Sequence, residues 1–184
     1  MADDTQGQGS APAGAPQDAN QGPVPSFGIA AQYIRDLSFE SPNAPASLVG
    51  GAVAPNSQVN VSVQVKKQAD DSYAVELNMN VRTEREGNLL FAVELVYGGL
   101  FRVQNVQENQ LAPLLMVEAP RLLFPFARQI LATVTQQGGF PPLMMEPVDF
   151  SALYRRNLQA IAERRRAEGA TNGTGDAAAN PTVN

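Results

Sequence analysis

Any chemistry in this chain falls to its carboxylates, arginines and glycines, because its 184 residues include neither histidine nor cysteine. That composition removes disulfides, thiol catalysis, Cys/His zinc sites and every Ser–His or Cys–His nucleophile. Asp36 and Glu40 sit four residues apart in an alternating stretch, on one face and about 13 Å apart along an extended chain. Two carboxylates can divide acid and base work in a hydrolase, but neither has a basic partner or a metal motif beside it, and exposed carboxylates are ordinary. The pairs Gly50-Gly51, Gly98-Gly99 and Gly138-Gly139 lack the Gly-x-Gly or Gly-Lys-Ser/Thr spacing that cradles phosphate. Arg155, Arg156 and Arg164 to Arg166 are interrupted by acidic residues, in a chain of net charge −5 and without an aromatic platform. Nucleic acid is not the expected partner. No enzyme activity, metal or cofactor is expected.

What stands out instead is hydrophobic. Residues 120–137, PRLLFPFARQILATVTQQ, read as the longest apolar helix. Leu122, Leu123, Phe126, Ile130 and Val134, with Ala127 and Leu131 offset, recur at three- and four-residue spacing on one wide face. Pro120 suits a helix start; Pro125 restarts or kinks the rod; Gly138-Gly139 end it. An apolar link follows, carrying Phe140, Leu143, Met144 and Met145 with Glu146 as its charge. The pattern allows a core helix with a tucked-in connector, or a subunit interface beside a binding surface. Methionines suit a surface that accepts varied partners, and equally a core.

The elements that position these residues are mostly strands. Residues 1–26 and 169–184 are rich in Ala, Gly, Pro, Asn and Gln and are expected to be disordered tails. Residues 29–40 alternate, with Ile29, Ala31, Tyr33, Leu37 and Phe39 on one side and Gln32, Asp36, Ser38 and Glu40 on the other. A long irregular connection, residues 41–57, carries Leu48, Val49 and Val53; connections of that length are often functional. Val59 to Val65 and Tyr73 to Val81 form two more inward rows, joined by tight turns into an antiparallel meander. The fourth strand, residues 89–103, is apolar on both faces except for Glu94, which predicts cover on both; the row Leu90, Ala92, Val96 and Leu100 is expected to meet a second subunit. Gly98-Gly99 marks a bulge or a close approach of backbone. Residues 109–118 predict a short separate helix or turn. A last helix, residues 148–168, is capped by Asp149 or Ser151. No apolar run of about 18 residues spans a membrane, and the polar start is no secretory signal, so a cytoplasmic location is expected.

Four blocks, YIRDLSFESPNAP (33–45), FAVELVYGGLF (91–101), LLFPFARQI (122–130) and GGFPPLMMEPVDFSALY (138–154), resemble the bacterial export chaperone family SecB in order and spacing. The resemblance spans residues 27–158. It implies an α+β fold, a four-stranded antiparallel sheet with two main helices, assembled as a dimer of dimers with the long helices between the dimers. It implies a holdase that uses no ATP, keeps precursor proteins unfolded and passes them to the ATPase SecA. Asp36, Glu40, Ala92 and Glu94 match the acidic SecA-binding surface, although the family usually has leucine where Ala92 stands. Leu48, Phe124, Phe126, Phe140, Leu143, Phe150 and Leu153 are implied to line client grooves. Gly50-Gly51-Ala52-Val53 replaces an aromatic of the family's long connection. Val93, Leu95, Tyr97, Leu123 and Ile130 are expected at the oligomer interface.

These readings predict one chaperone domain, residues 27–168, in a homotetramer with unfolded precursors and SecA as partners. The competing prediction is a structural oligomer whose apolar surface serves self-assembly alone; it differs in ignoring unfolded protein.

Overall fold

The computed structural model describes residues 24–172. Four strands form one antiparallel sheet: β1 (Ser26–Glu40), β2 (Asn56–Ala69), β3 (Ser72–Arg85) and β4 (Asn88–Gln104), in the order β1-β4-β3-β2. This is Greek-key order, three hairpin-linked strands with the remaining one returned beside the last of them. The β2–β3 and β3–β4 turns are tight. Glu86 and Gly87 both take left-handed backbone, at φ 51° and 79°, as a two-residue hairpin turn of the twist-matched kind requires.

The long connection between β1 and β2 crosses from one sheet edge to the other around the end of the β3–β4 hairpin. Ser41 Oγ donates to the Leu90 carbonyl at 2.8 Å and Asn43 Nδ2 to that of Leu89 at 2.9 Å. Arg85 Nη1 donates to the Val49 carbonyl at 3.1 Å. These bonds tie a segment that buries little of its own apolar surface.

β1 departs from simple alternation. Its pairing with β4 shifts register between Ile29 and Ala31 and again between Ile34 and Asp36. Each bulge reverses which face the following residues occupy. Tyr33 therefore shares the outer sheet face with Asp36, Ser38 and Glu40, while Gln32 and Ile34 turn toward the helices; the period alone predicts the reverse for Tyr33 and Gln32. Partners confirm the assignment. Tyr33 donates to Glu76 Oε1 at 3.3 Å on the outer side, and Tyr97 donates to Gln32 Oε1 at 2.9 Å on the inner side.

The inner face carries the core: Val75, Leu77, Met79 and Val81 from β3, and Phe91, Val93, Leu95, Tyr97 and Phe101 from β4. Helix α2 (Ala119–Gln137) lies on it through Leu123, Ala127 and Leu131, all fully buried. The Gly98-Gly99 pair admits close packing on both sides. A Cβ on Gly99 would meet Leu123 at 2.8 Å, and one on Gly98 would meet the Tyr33 ring at 2.5 Å.

Two helix boundaries differ from expectation. Pro120 stands in the first turn of α2, as expected, but α2 is not a separate rod. The rod begins at α1 (Glu108–Pro113) and continues through a widened π-turn (Leu114–Glu118) into α2. The Ala119 N–H bonds the Leu114 carbonyl, five residues back, directly before Pro120. A widened turn there accommodates a proline that has no N–H and whose ring crowds the preceding turn. The last helix, α3 (Phe150–Asn172), runs past Glu168. Its start is capped by Asp149, whose Oδ1 accepts from the Ala152 N–H at 3.0 Å. Of the predicted tails, residues 1–23 and 173–184 lie outside the described residues, whereas Ser26 opens β1 and residues 169–172 continue α3.

Candidate functional site

Two kinds of surface are available, one charged and one apolar. On the outer sheet face, β1–β4 pairing sets Asp36 opposite Val96, Ser38 opposite Glu94 and Glu40 opposite Ala92. The four residues singled out in the sequence thus fall on two adjacent strands of one face. Glu94 lies diagonally between Asp36 and Glu40, with Ser38 beside it. Neighbouring strands are about 4.8 Å apart and same-face residues about 7 Å apart along a strand, so one partner segment can reach all three carboxylates. All three are exposed, and none has an ion-pair partner among the described residues.

The same face holds a carboxylate that the sequence did not mark as special. Glu76 is only 4% exposed. It pairs with Arg35, which stands on the second bulge of β1, and approaches Lys66 Nζ at 4.0 Å. The bond to Glu76 raises the Arg35 pKa above its ordinary value. Burial, then the Glu76 charge, raises that of Tyr33. Glu76 is thereby committed to its own chain, which separates it chemically from the three free carboxylates. Only the cross-strand pairing reveals this, because in β3 it occupies an ordinary outward position.

The apolar features do not form one groove. A cleft of about 570 Å³ opens between edge strand β2 and the Phe-Pro link, lined by Val59, Val61, Leu143, Met144, Val148 and Leu153 among others. Glu146 and Arg156 also line it. A second hollow, of about 290 Å³, runs along α2 and is lined by Tyr97, Phe126, Gln129, Ile130, Thr133 and Val134. Leu48 sits elsewhere, half exposed, against Gly139.

Three of the expected groove residues are core instead. Phe124 and Phe150 pack edge to face, with ring centroids 5.9 Å apart, and fix the start of α3 on α2. Phe140 packs between Phe91 and Phe39 at 4.8 and 6.4 Å. All three are buried within one chain, because aromatic rings bury the most apolar area per side chain and fill the gaps between helix, link and sheet. Leu143, Leu153, Phe126 and Leu48 remain accessible, at three separate places.

The expected interface residues need a similar correction. Val93, Leu95, Tyr97 and Leu123 are buried within a single chain, the first two at 0% and 1% exposure. They lie between the sheet and α2, so their burial requires no partner. Ile130 is half exposed. Apolar surface stays open on the opposite side of α2, where Leu122 and Phe126 are 45% and 47% exposed, on α3 at the exposed Leu158 and Ile161, and in the outer row Ala92, Val96 and Leu100, each half buried. A helix apolar on two sides can cover its own sheet with one and present the other.

A Greek-key sheet backed by one long helix, with free carboxylates on its bare face and a cleft beside its β2 edge, defines an α+β protein with open charged and apolar surfaces. Residues 20–161 match the family described as preprotein translocase subunit SecB. A protein-export protein SecB of Rhodopseudomonas palustris (strain BisB18) is 48% identical over 149 residues, covering 81% of this chain and 90% of its own length. That of Bartonella bacilliformis is 45% identical over 141 residues, covering 77% of this chain and 89% of its own. A SecB-like chaperone of Mycobacterium tuberculosis, solved with a peptide from an antitoxin, shares the fold at a TM-score of 0.56 and 15% identity, over 66% of this chain and 90% of that one. The chain belongs to the SecB family, the chaperones of protein export.

Proposed function

We propose that this protein is an ATP-independent holdase of the cytoplasm, which keeps precursor proteins unfolded and export-competent and delivers them to the translocase ATPase SecA. It works as a dimer of dimers. The open cleft of about 570 Å³ beside β2 carries the reading. Its aliphatic and thioether side chains favour burial of apolar client segments at about 25 cal/mol per Å² without demanding a particular sequence, and Ser57, Asn60, Glu146 and Arg156 on the same walls offer polar contacts to the client backbone. Folded proteins present few extended apolar segments, so unfolded chains are selected. One cleft holds a segment weakly; several on one assembly raise the effective concentration of the others and hold a long chain. Leu143 and Leu153 contribute directly to this cleft, while Leu48 and Phe126 offer further contacts. Phe124, Phe140 and Phe150 act from beneath, by fixing the link and α3.

The exposed side of α2, through Phe126, Ile130 and the Tyr97 edge, joins two dimers. The free carboxylates Asp36, Glu40 and Glu94, with Ala92 between them, receive SecA. Among the described residues no helix is long and apolar enough to cross a membrane.

Light scattering on a size-exclusion column tests the reading, with and without a slow-folding precursor diluted from denaturant. A tetramer that carries the unfolded precursor and ignores its folded form is the expected result. A tetramer that never captures the precursor would leave self-assembly as the role of the apolar surface.

A further inference from the structure

The Phe-Pro link turns two neighbouring methionines in opposite directions. Met144 is 65% exposed and lines the cleft beside β2, with Val59, Val61 and Leu143. Met145 also borders the cleft, but it is only 8% exposed and packs into the core. The link is held on both sides of Met144. The Leu143 N–H bonds the Thr135 hydroxyl at 3.0 Å, and the Met145 side chain is buried. The Met144 thioether is thereby kept outward, on the cleft wall.

Exposure separates these sulfurs chemically. A thioether takes up an oxygen atom from a two-electron oxidant only where the oxidant reaches the sulfur. Among the described residues, Met79 is fully buried and Met116 is partly buried, which leaves Met144 as the methionine open to solvent. The chain has no cysteine, so no thiol of its own intercepts the oxidant first. Oxidation replaces a flexible apolar group by a polar, hydrated sulfoxide. Covering that oxygen with an apolar client segment strips its water and returns no hydrogen bond, which disfavours burial.

We propose that Met144 is a reversible oxidation site whose sulfoxide weakens client capture. A hydroperoxide transfers its outer oxygen to Sδ: the O–O bond breaks, the S–O bond forms, the sulfur is oxidised by two electrons, and the peroxide leaves as water or an alcohol. A methionine sulfoxide reductase returns the thioether. It draws two electrons from a pair of thiols, which become a disulfide, and the oxygen leaves as water. This rests on the reading of the cleft as the client site, and it makes the grip of that cleft depend on the oxidation state of one sulfur.

The full-length protein is treated with hydrogen peroxide, freed of it with catalase, and titrated with an unfolded, slow-folding precursor, while peptide mass mapping reads the sulfoxide at each methionine. Sulfoxide should form at Met144 before Met79, Met116 and Met145. It should weaken precursor binding about three- to tenfold and leave the solution mass unchanged. Reductases for the two sulfoxide epimers should restore binding. Met144→Leu, whatever its starting affinity, should keep that affinity through the same treatment. Oxidation of Met144 without loss of affinity, or an equal loss in the Met144→Leu protein, overturns the inference and leaves the cleft reading standing. A map in which Met79, Met116 or Met145 oxidises first does the same. Untreated protein that never captures the precursor removes the cleft reading, and the oxidation site falls with it.

Discussion

The Leu143 N–H donates to the Thr135 hydroxyl at 3.0 Å, and this bond, with that of the Phe140 N–H to the Thr135 carbonyl at 3.1 Å, ties the Phe-Pro link to the last turn of α2. Thr135 is fully buried, and its Oγ also lies 2.9 and 3.1 Å from the Leu131 and Ala132 carbonyls. The hydroxyl thus gives its proton back to its own helix and accepts from the link, which is what threonine can do and valine cannot. Leu143 lines the large cleft, so the shape of that cleft depends on this bond.

Thr135→Val keeps the volume but leaves the Leu143 N–H without its acceptor in a partly buried position. It should lower unfolding stability by about 1–2 kcal/mol, read by urea denaturation, and should weaken precursor capture. Thr135→Ser retains the hydroxyl and should restore capture. Equal loss in both variants would show that the methyl group, and not the bond, holds the link.

The two sides of α2 predict opposite phenotypes. Val93 and Leu95 are sealed between sheet and helix, so Val93→Asp or Leu95→Asp places an unpaired carboxylate in the core. The cost should be about 4 kcal/mol or more, and the chain should fail to fold rather than merely dissociate. Phe126→Asp changes a half-exposed side chain and should leave circular dichroism unchanged while lowering the solution mass. A folded, dissociated Leu95→Asp protein would overturn this division.

The reversal of these roles shows where the sequence is and is not legible. β4 is apolar on both faces, and the alternation that identifies it as a strand does not say which row meets its own helix. That choice is made by α2, through Leu123 against Gly99, which is a long-range contact. The β1 bulges are hidden for the same reason: a register shift at Ala30 or Arg35 exists only relative to β4, so Tyr33 reads as inward when its own neighbours are considered alone. Val59 to Val65 and the presence of tight turns between the hairpin strands were legible because their signals are local. The π-turn before Pro120 was not, since proline is more familiar at a helix start than inside one. Asp36, Glu40 and Glu94 carry no local mark of a shared site; the resemblance grouped them, and β1–β4 pairing sets them side by side.

The two glycines of β4 should respond unequally to alanine. Gly99→Ala drives a Cβ to within 2.8 Å of Leu123 and of the Phe101 ring, both fully buried. Overpacking of that kind costs about 1–3 kcal/mol. Gly98→Ala meets the far end of Tyr33, a half-exposed ring that can swing into solvent with loss of its 3.3 Å bond to Glu76. It should cost about 1 kcal/mol or less. Thermal unfolding of both variants decides the point, and a Gly98→Ala protein destabilised as much as Gly99→Ala would mean that Tyr33 is held more firmly than its exposure indicates.

Acid should loosen the start of α3 through one group. The Ala152 N–H bond, with a smaller contribution from the Ser151 N–H and the nearby charges of Arg155 and Arg121, lowers the Asp149 pKa below its ordinary value. A carboxylate with a depressed folded-state pKa contributes stability above its unfolded value and loses that contribution as pH falls through the folded one. The capping contribution is therefore complete near neutrality and fades only below the usual aspartate range. The side-chain amide of an Asp149→Asn variant still accepts from the helix N–H groups but does not titrate there. Amide exchange at Ser151 to Leu153, followed from neutral pH into acid, should show wild-type protection falling relative to the Asp149→Asn protein, after correction for intrinsic rates. Parallel curves for the two proteins would mean that the cap contributes through its geometry alone and that its charge is immaterial to α3.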